Sequence, residues 1–191
     1  MESHILMLTF RPMTLDDIPL FHRWRNHKHV SDWWQPPYPS YADVDEEIRA
    51  YLRPKFGVAA YIVLDDATPF GYVQRWTVAE FPDYDPFVTL TPEVVGVDVF
   101  IGEPDYLHKG WGTRLMVGFL RDYVFNDPNV PSCIIDPLPN NAAAIRAYDK
   151  VGFYHEADFV YDGTDVYFMR ITRGRFFAKW GHQPAPTDNT T

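Results

Sequence analysis

The stretch Val94-Val95-Gly96-Val97-Asp98-Val99-Phe100-Ile101, and the turn His108-Lys109-Gly110-Trp111-Gly112-Thr113 that follows it, decide how this chain is read. The first part is apolar and β-branched, the composition of a strand, and residues 114–125 carry apolar side chains at helical spacing. The turn therefore sits where a strand hands over to a helix. Two glycines one residue apart let the main chain approach a ligand without Cβ clashes, and their N–H groups converge at the positive end of the helix. A pyrophosphate fits such a cradle. Asp98 interrupts the apolar strand, and a carboxylate there is costly unless it has a partner or a task. Phosphate cradle and buried acid together suggest group transfer from a nucleotide-tailed donor.

Composition narrows the class. The 191 residues are 46% hydrophobic and 17% aromatic, enough for one domain with a sizeable core and too few for two. We read residues 1–182 as that domain and 183–191 as a disordered polar tail. No run approaches the roughly 18 apolar residues of a membrane span. The opening, Met1-Glu2-Ser3-His4, lacks the basic region of a secretory signal, so the cytoplasm is the expected location. Cys133 is the lone cysteine, which excludes an internal disulfide or a cysteine-based zinc cluster, and its apolar neighbours suit a buried thiol. The net charge of −9 opposes nucleic-acid binding and favours a cationic small molecule or a basic protein segment as partner. Monomer and homodimer both remain open.

Periodicity and punctuation predict strands over 6–11, 59–64, 70–78, 94–101, 132–136, 153–161 and 166–172. Helices are expected over 15–26 behind a Thr14 cap, over 41–52, over 114–125, and over 142–151 behind Asn140 or Asn141, with Gly152 in the left-handed position that ends the last. Residues 32–39, with three large aromatics among three prolines, read as a stiffened aromatic loop, and 80–92 as a long acidic one.

The order strand, Gly-x-Gly turn, helix, strand, helix, hairpin resembles the GCN5-related N-acetyltransferase (GNAT) superfamily, over most of the chain. The strongest blocks are GVDVFIGEPDYLHKGWGT (96–113) and DPLPNNAAAIRAYDKVGF (136–153), which look like aminoglycoside 6′-N-acetyltransferases in particular; Trp33-Trp34 and Phe70-Gly71-Tyr72-Val73-Gln74 resemble the same group. One departure is Leu107, where the superfamily's loop usually begins with Gln or Arg; backbone amides supply the cradle, so it stays intact. The resemblance implies an α/β (α+β) fold with a single mixed, mostly antiparallel sheet flanked by helices, and a splayed central strand pair. It implies acetyl-CoA as donor, an aminoglycoside as acceptor, and hence antibiotic resistance.

Each residue then has an expected task. Acetylating an amine that is protonated near neutral pH requires a proton acceptor, and Asp98, its carboxyl raised by desolvation, is the candidate, directly or through water. By resemblance Tyr148 protonates the departing sulfur, although its spacing with Ile145 and Val151 equally suits a core position. An N–H near Phe100 serves the developing oxyanion. The pantetheine arm pairs with the backbone of Phe100, Ile101 and Gly102 like an added strand. Gly110, Trp111, Gly112 and Thr113 cradle the phosphates, His108 and Lys109 either add positive charge beside them or belong to a solvated turn, and Asn141 either caps its helix or bonds the pantetheine. Trp34, Tyr72, Gln74, Asp98 and Asp136 are expected to line the acceptor side, stacking on sugar rings and pairing with ammonium groups. Trp33 fits core and pocket equally, and Glu80, Asp83 and Asp85 read as a solvated loop that could extend an acidic wall.

No histidine pair has metal-ligand spacing; His22, His27 and His29 are expected on the surface, away from the cleft, and no metal is implied. With no activated serine or cysteine, direct transfer in a ternary complex is favoured over an acyl-enzyme. Two other readings stand: a GNAT acting on a siderophore precursor's lysine-type amine or a protein N-terminus, and a module that binds coenzyme A without turnover.

Overall fold

The computed structural model describes residues 8–53, 57–80, 90–161 and 163–181. The tail 183–191, the start of the first strand and the acids Asp83 and Asp85 lie outside them, as does the side chain of Glu80. Seven strands form one sheet in the order β1-β2-β3-β4-β5-β7-β6. They are β1 (Leu8–Pro12), β2 (Val58–Asp65), β3 (Thr68–Thr77), β4 (Val95–Ile101), β5 (Ser132–Ile135), β6 (Tyr154–Tyr161) and β7 (Thr164–Thr172). Every neighbouring pair is antiparallel except β4 with β5, which is parallel. The mixed sheet and its two hairpins match the sequence reading.

Helices cover both faces. On one, α1 (Ile18–Arg25) and α3 (Tyr41–Tyr51) bury Phe21, Trp24, Val44 and Ile48 against Ala60, Ile62 and Tyr72. On the other, α4 (Trp111–Phe119), α5 (Ala142–Val151) and α6 (Arg173–Trp180) pack Leu115, Met116, Phe119, Val151 and Phe176 onto Val63, Val73, Val95 and Val97. The alternation of Ile62 with Val63, and of Tyr72 with Val73, is the period-two signature of strands buried on both faces.

Local chemistry sets the boundaries. Ser40 caps α3 by accepting from Asp43 N at 3.2 Å, and the Asp43 carboxylate takes Ser40 N at 2.8 Å. Asp17 gathers Thr14 N and Thr14 Oγ1 on one oxygen and the Arg11 fork at 2.7 and 2.9 Å, tying β1 to the turn before α1. Gly152 ends α5 at φ 121°. Two helices escaped the sequence reading, and the start of a third was placed late. Residues 28–31 form a short helix, α2 (Lys28–Ser31); α4 starts at Trp111, three residues early, and leaves through a π turn over Leu120–Val124; and α6 follows β7 directly, capped by Thr172 Oγ1 from Arg175 N at 3.3 Å.

The feature that makes room for a site is the parting of β4 from β5. They pair only at Val95 with Cys133 and Gly96 with Ile134, whereas β4 runs on to Ile101. Beyond Ile135 the chain meets Asp136 and Pro137; proline brings no N–H to a ladder, and its carbonyl accepts from Tyr167 N on β7 at 3.1 Å. The chain thus follows β7 and leaves the far half of β4 open. At the other end of that opening Gly102 lies under the buried Trp24 indole, and a Cβ built there would be 2.2 Å from it. Gly102→Ala should therefore cost about 1–3 kcal/mol of stability through forced repacking. Denaturant unfolding checks this, and an unchanged midpoint would mean that Trp24 relaxes freely.

Candidate active site

The opening between β4 and β5 is a cleft of about 740 Å³. β4 supplies Asp98, Val99, Phe100 and Ile101; the turn and α4 supply Leu107, His108, Gly110, Trp111, Gly112 and Thr113. Asp136 comes from the end of β5, and Asn141, Ala144, Arg146 and Tyr148 from α5 and its cap. Trp33 and Trp34 arrive from the aromatic loop.

Backbone geometry explains the donor side. Gly110 adopts φ 83°, a left-handed conformation that glycine takes without strain, and this turns the chain into α4. His108 takes φ 59° without that licence. Arg114 N is bonded to Gly110 O at 3.2 Å. Helix geometry leaves the amides of Trp111, Gly112 and Thr113 with no intrahelical acceptor, so they point out of the N-terminus. The space in front of them is open: among the described residues, apart from chain neighbours and the helix's own backbone, nothing lies within 4 Å of a Cβ built at Gly110, and at Gly112 only Ile101 Cδ1 at 3.8 Å. The two glycines thus do different jobs, one supplying a positive φ and the other clearance. Lys109 is exposed and does not line the cleft.

The open edge of β4 is narrower than expected. Gly102 N donates to Phe70 O at 2.8 Å, and the β3–β4 register carries that alternation to Phe100 and Asp98. Their main-chain groups are spent on β3, which corrects the expected role for the Phe100 backbone. Val99 and Ile101 are the residues whose amides and carbonyls face the gap. Of these the Ile101 carbonyl is engaged by His29 Nε2 at 3.0 Å, and His27 Nδ1 meets Gly102 O at 2.9 Å. His29 lines the cleft. The expectation that the histidines lie away from the cleft fails for His29, because the start of α2 brings the His27 and His29 rings back onto the end of β4. His22 instead stands edge-on to Tyr41.

Asp98 reaches the cleft from β4. Its Oδ2 accepts from Gln74 Nε2 at 2.8 Å and from Trp76 Nε1 at 3.1 Å, and Gln74 Oε1 in turn accepts from Tyr72 Oη at 2.6 Å. Burial pushes the Asp98 carboxyl above its ordinary value, opposed by these two donors. Tyr72 and Gln74 are themselves buried, 0% and 6% exposed, and do not line the cleft. They were expected to meet an acceptor; strand alternation instead directs them into the layer under α1 and α3, where they act on Asp98 from behind. Trp76, not singled out from sequence, completes the group.

Tyr148 is 8% exposed, packs in the core and also borders the cleft. Burial, then the charges of Asp98 and Asp136, hold its phenol above the ordinary value, protonated at neutral pH. Asn141 is a cap: its Oδ1 accepts from Ala144 N at 3.2 Å. Trp34 stands edge-on to Phe100 and Tyr72 at 5.1 and 5.9 Å between ring centres, and Arg25 lies 5.6 Å from its ring. Arg25 is fully buried; it donates to Glu47 at 2.9 Å and to the carbonyls of Gln35 and Pro36 at 3.1 Å each, which ties the aromatic loop down. Among the described residues no group of three or more His, Cys, Asp or Glu is placed to hold a metal, and no helix is long and apolar enough to cross a membrane.

The chain has known relatives. Residues 14–161 match the model of an acetyltransferase (GNAT) domain. The chain is 34% identical over 172 residues to an aminoglycoside N(6′)-acetyltransferase type 1 of Klebsiella pneumoniae, covering 88% of this chain and 85% of that one. Among solved structures, aminoglycoside acetyltransferase AAC(6′)-Ib in complex with coenzyme A and kanamycin superposes with a TM-score of 0.77 at 29% identity, over 91% of this chain and 98% of that one. The same enzyme in complex with parmomycin and acetyl-CoA gives 0.77 at 30% identity, over 88% and 95%. With strands that part beside an acid and a glycine turn that opens a helix, and a domain model matched across that whole region, the chain belongs to the GNAT acetyltransferase family.

Proposed function

We propose that this protein transfers the acetyl group of acetyl-CoA to a primary amine of an aminoglycoside, the 6′-amino group, by direct attack in a ternary complex. The observation that carries the reading is the Asp98 carboxylate, held on one oxygen by Gln74 and Trp76 and open on the cleft that the parted strands create. The ligands of the related enzymes support both substrates.

The donor, when bound, supplies an activated thioester. The amides of Trp111, Gly112 and Thr113 hold its phosphates at the positive end of α4. Val99 and Ile101 present main-chain groups along the gap to its amide-bearing arm, and an N–H there faces the oxygen on which charge develops. Asn141 keeps its carbonyl oxygen on the helix cap and has its amide N–H groups left to donate. Asp98 attracts the acceptor's ammonium and takes its proton, so that the free amine attacks. The raised phenol of Tyr148 stays protonated and donates to the leaving sulfur. Asp136, Trp33 and Trp34 give a polycationic sugar carboxylate and aromatic surface, in keeping with the net charge of −9.

Release of free coenzyme thiol tests the reading. Kanamycin should support turnover, whereas an aminoglycoside with hydroxyl in place of the 6′-amine, lysine derivatives and short peptides should not. Turnover confined to the peptides or lysine derivatives would transfer the activity to another acceptor, and no release with any amine would leave a binding module. Asp98→Asn should lower kcat/KM on the order of 10²-fold or more, with coenzyme affinity kept; Tyr148→Phe should act mainly on kcat. Gly112→Val should weaken coenzyme binding about tenfold or more, or about 1.4 kcal/mol, by filling the clearance over the amides. Valine is a better helix former than glycine, so folding should survive. Calorimetry reads this directly, and unchanged affinity would place the phosphates elsewhere.

A further inference from the structure

We propose that Trp76 is a positioning residue for Asp98: with Gln74 it holds one carboxylate oxygen, Oδ2, and so reserves the other, Oδ1, for the acceptor's ammonium. The inference rests on the role given to Asp98 above. Three observations carry it. Both donors converge on Oδ2, Gln74 Nε2 at 2.8 Å and Trp76 Nε1 at 3.1 Å, while among the described residues Oδ1 accepts no hydrogen bond. Neither donor is free to swing. Gln74 has its amide orientation set by the Tyr72 hydroxyl on Oε1, which leaves the Nε2 end for the acid. Trp76 lies flat over β4 because residue 96 is glycine; a Cβ there would be 2.2 Å from two atoms of the indole.

The two oxygens consequently have different work. A carboxylate with one oxygen saturated cannot rotate without breaking two bonds, so its free lone pairs stay aimed while the proton arrives. The same bonds favour the charged form and keep a desolvated acid able to serve as a base near neutral pH. Titratable groups facing Asp98 come from four elements: Tyr72 on β3, Cys133 on β5, Tyr51 on α3 and Tyr148 on α5. Burial raises all four, so none gains or loses charge in the acid range. Behind them Arg25 and Glu47 form an ion pair at 2.9 Å, and Asp136 is the other carboxylate on the cleft.

The test compares pH profiles of kcat/KM for the protein and Trp76→Phe, which keeps the ring and removes the donor. Loss of a bond to the charged form raises the carboxyl, so activity should begin to fall at a higher pH: the acid limb should move up by about one pH unit, a roughly tenfold drop at acidic pH. The plateau and the KM for acetyl-CoA should change much less. Titration of the amine and of Asp136 is common to both proteins. Gly96→Ala, which dislodges the indole with its N–H intact, should move the limb the same way and serves should Trp76→Phe fold poorly. An acid limb that stays in place in these variants, whatever their overall rate, would overturn the inference. Asp98→Asn run alongside separates the two levels: if it remains active, the assignment of Asp98 fails; if it is inactive while the limb stays in place, only the role of Trp76 does.

Discussion

Two residues of pairing between β4 and β5, followed by separation, are the constraint from which the rest of this molecule follows. Opening a sheet in mid-strand exposes main-chain donors and acceptors that a closed sheet would satisfy, and buried groups of that kind are costly when left alone. The chain meets the cost asymmetrically. On the β5 side the strand stops, a proline removes one donor, and its carbonyl turns to β7. On the β4 side two imidazoles, His29 on α2 and His27 just before it, take the carbonyls of Ile101 and Gly102. Between them the main-chain groups of Val99 and the amide of Ile101 remain for a ligand that pairs like a strand.

An acid placed in such an opening has to remain chemically useful. Fully paired, Asp98 would be a structural ion; unpaired, its desolvation would push it toward the neutral acid. Two neutral donors on one oxygen give an intermediate outcome, and neutrality matters here. A basic side chain in place of Gln74 or Trp76 would compete with the acceptor's ammonium for the same charge. The device depends on smallness elsewhere, since the indole reaches Asp98 only across Gly96. A glycine that reads in the sequence as a weak point in a strand is thus what admits the larger partner.

Much of this was legible. The apolar run with one acid, the glycine turn and the Asn141 cap are local patterns, and local patterns survive folding: strand, helix and cleft stand where these residues implied. What failed was distance. His27 and His29 act on carbonyls more than 70 residues away, and a spacing search for metal ligands had no means of seeing them as backbone donors. Tyr72 and Gln74 were read as facing an acceptor because they flank a strand near the cleft. Only the β3–β4 register, which aligns Gln74 with Asp98, shows that they stand behind the acid. The helix over Arg173–Trp180 did carry a signal, since Thr172 followed by Phe176 and Phe177 is a cap and a buried face. It was obscured by lying directly after a strand with no intervening turn residues.

The two halves of the cleft are built from different materials, and that difference bears on how such a protein changes. The donor side is mostly main chain: helix amides, a positive φ at Gly110, clearance at Gly112 and a strand edge. A side-chain substitution keeps this half when it keeps the backbone path and leaves the space over the amides clear. The acceptor side is side chain throughout, with Trp33, Trp34 and Asp136 on a loop and a strand end. That loop is held by the buried Arg25 guanidinium on the Gln35 and Pro36 carbonyls, by Asn26 on the Pro39 carbonyl and by Ser31 Oγ on Tyr38 N, bonds that replace the ladder a strand would have had. Substitutions in the loop can therefore alter which amine is held while leaving the donor half intact. The reverse does not hold, because a change in the glycine turn moves the donor relative to Asp98 and affects every acceptor alike. Selectivity among amines and loss of activity should consequently arise from separate sets of positions, divided along the line where β4 parts from β5.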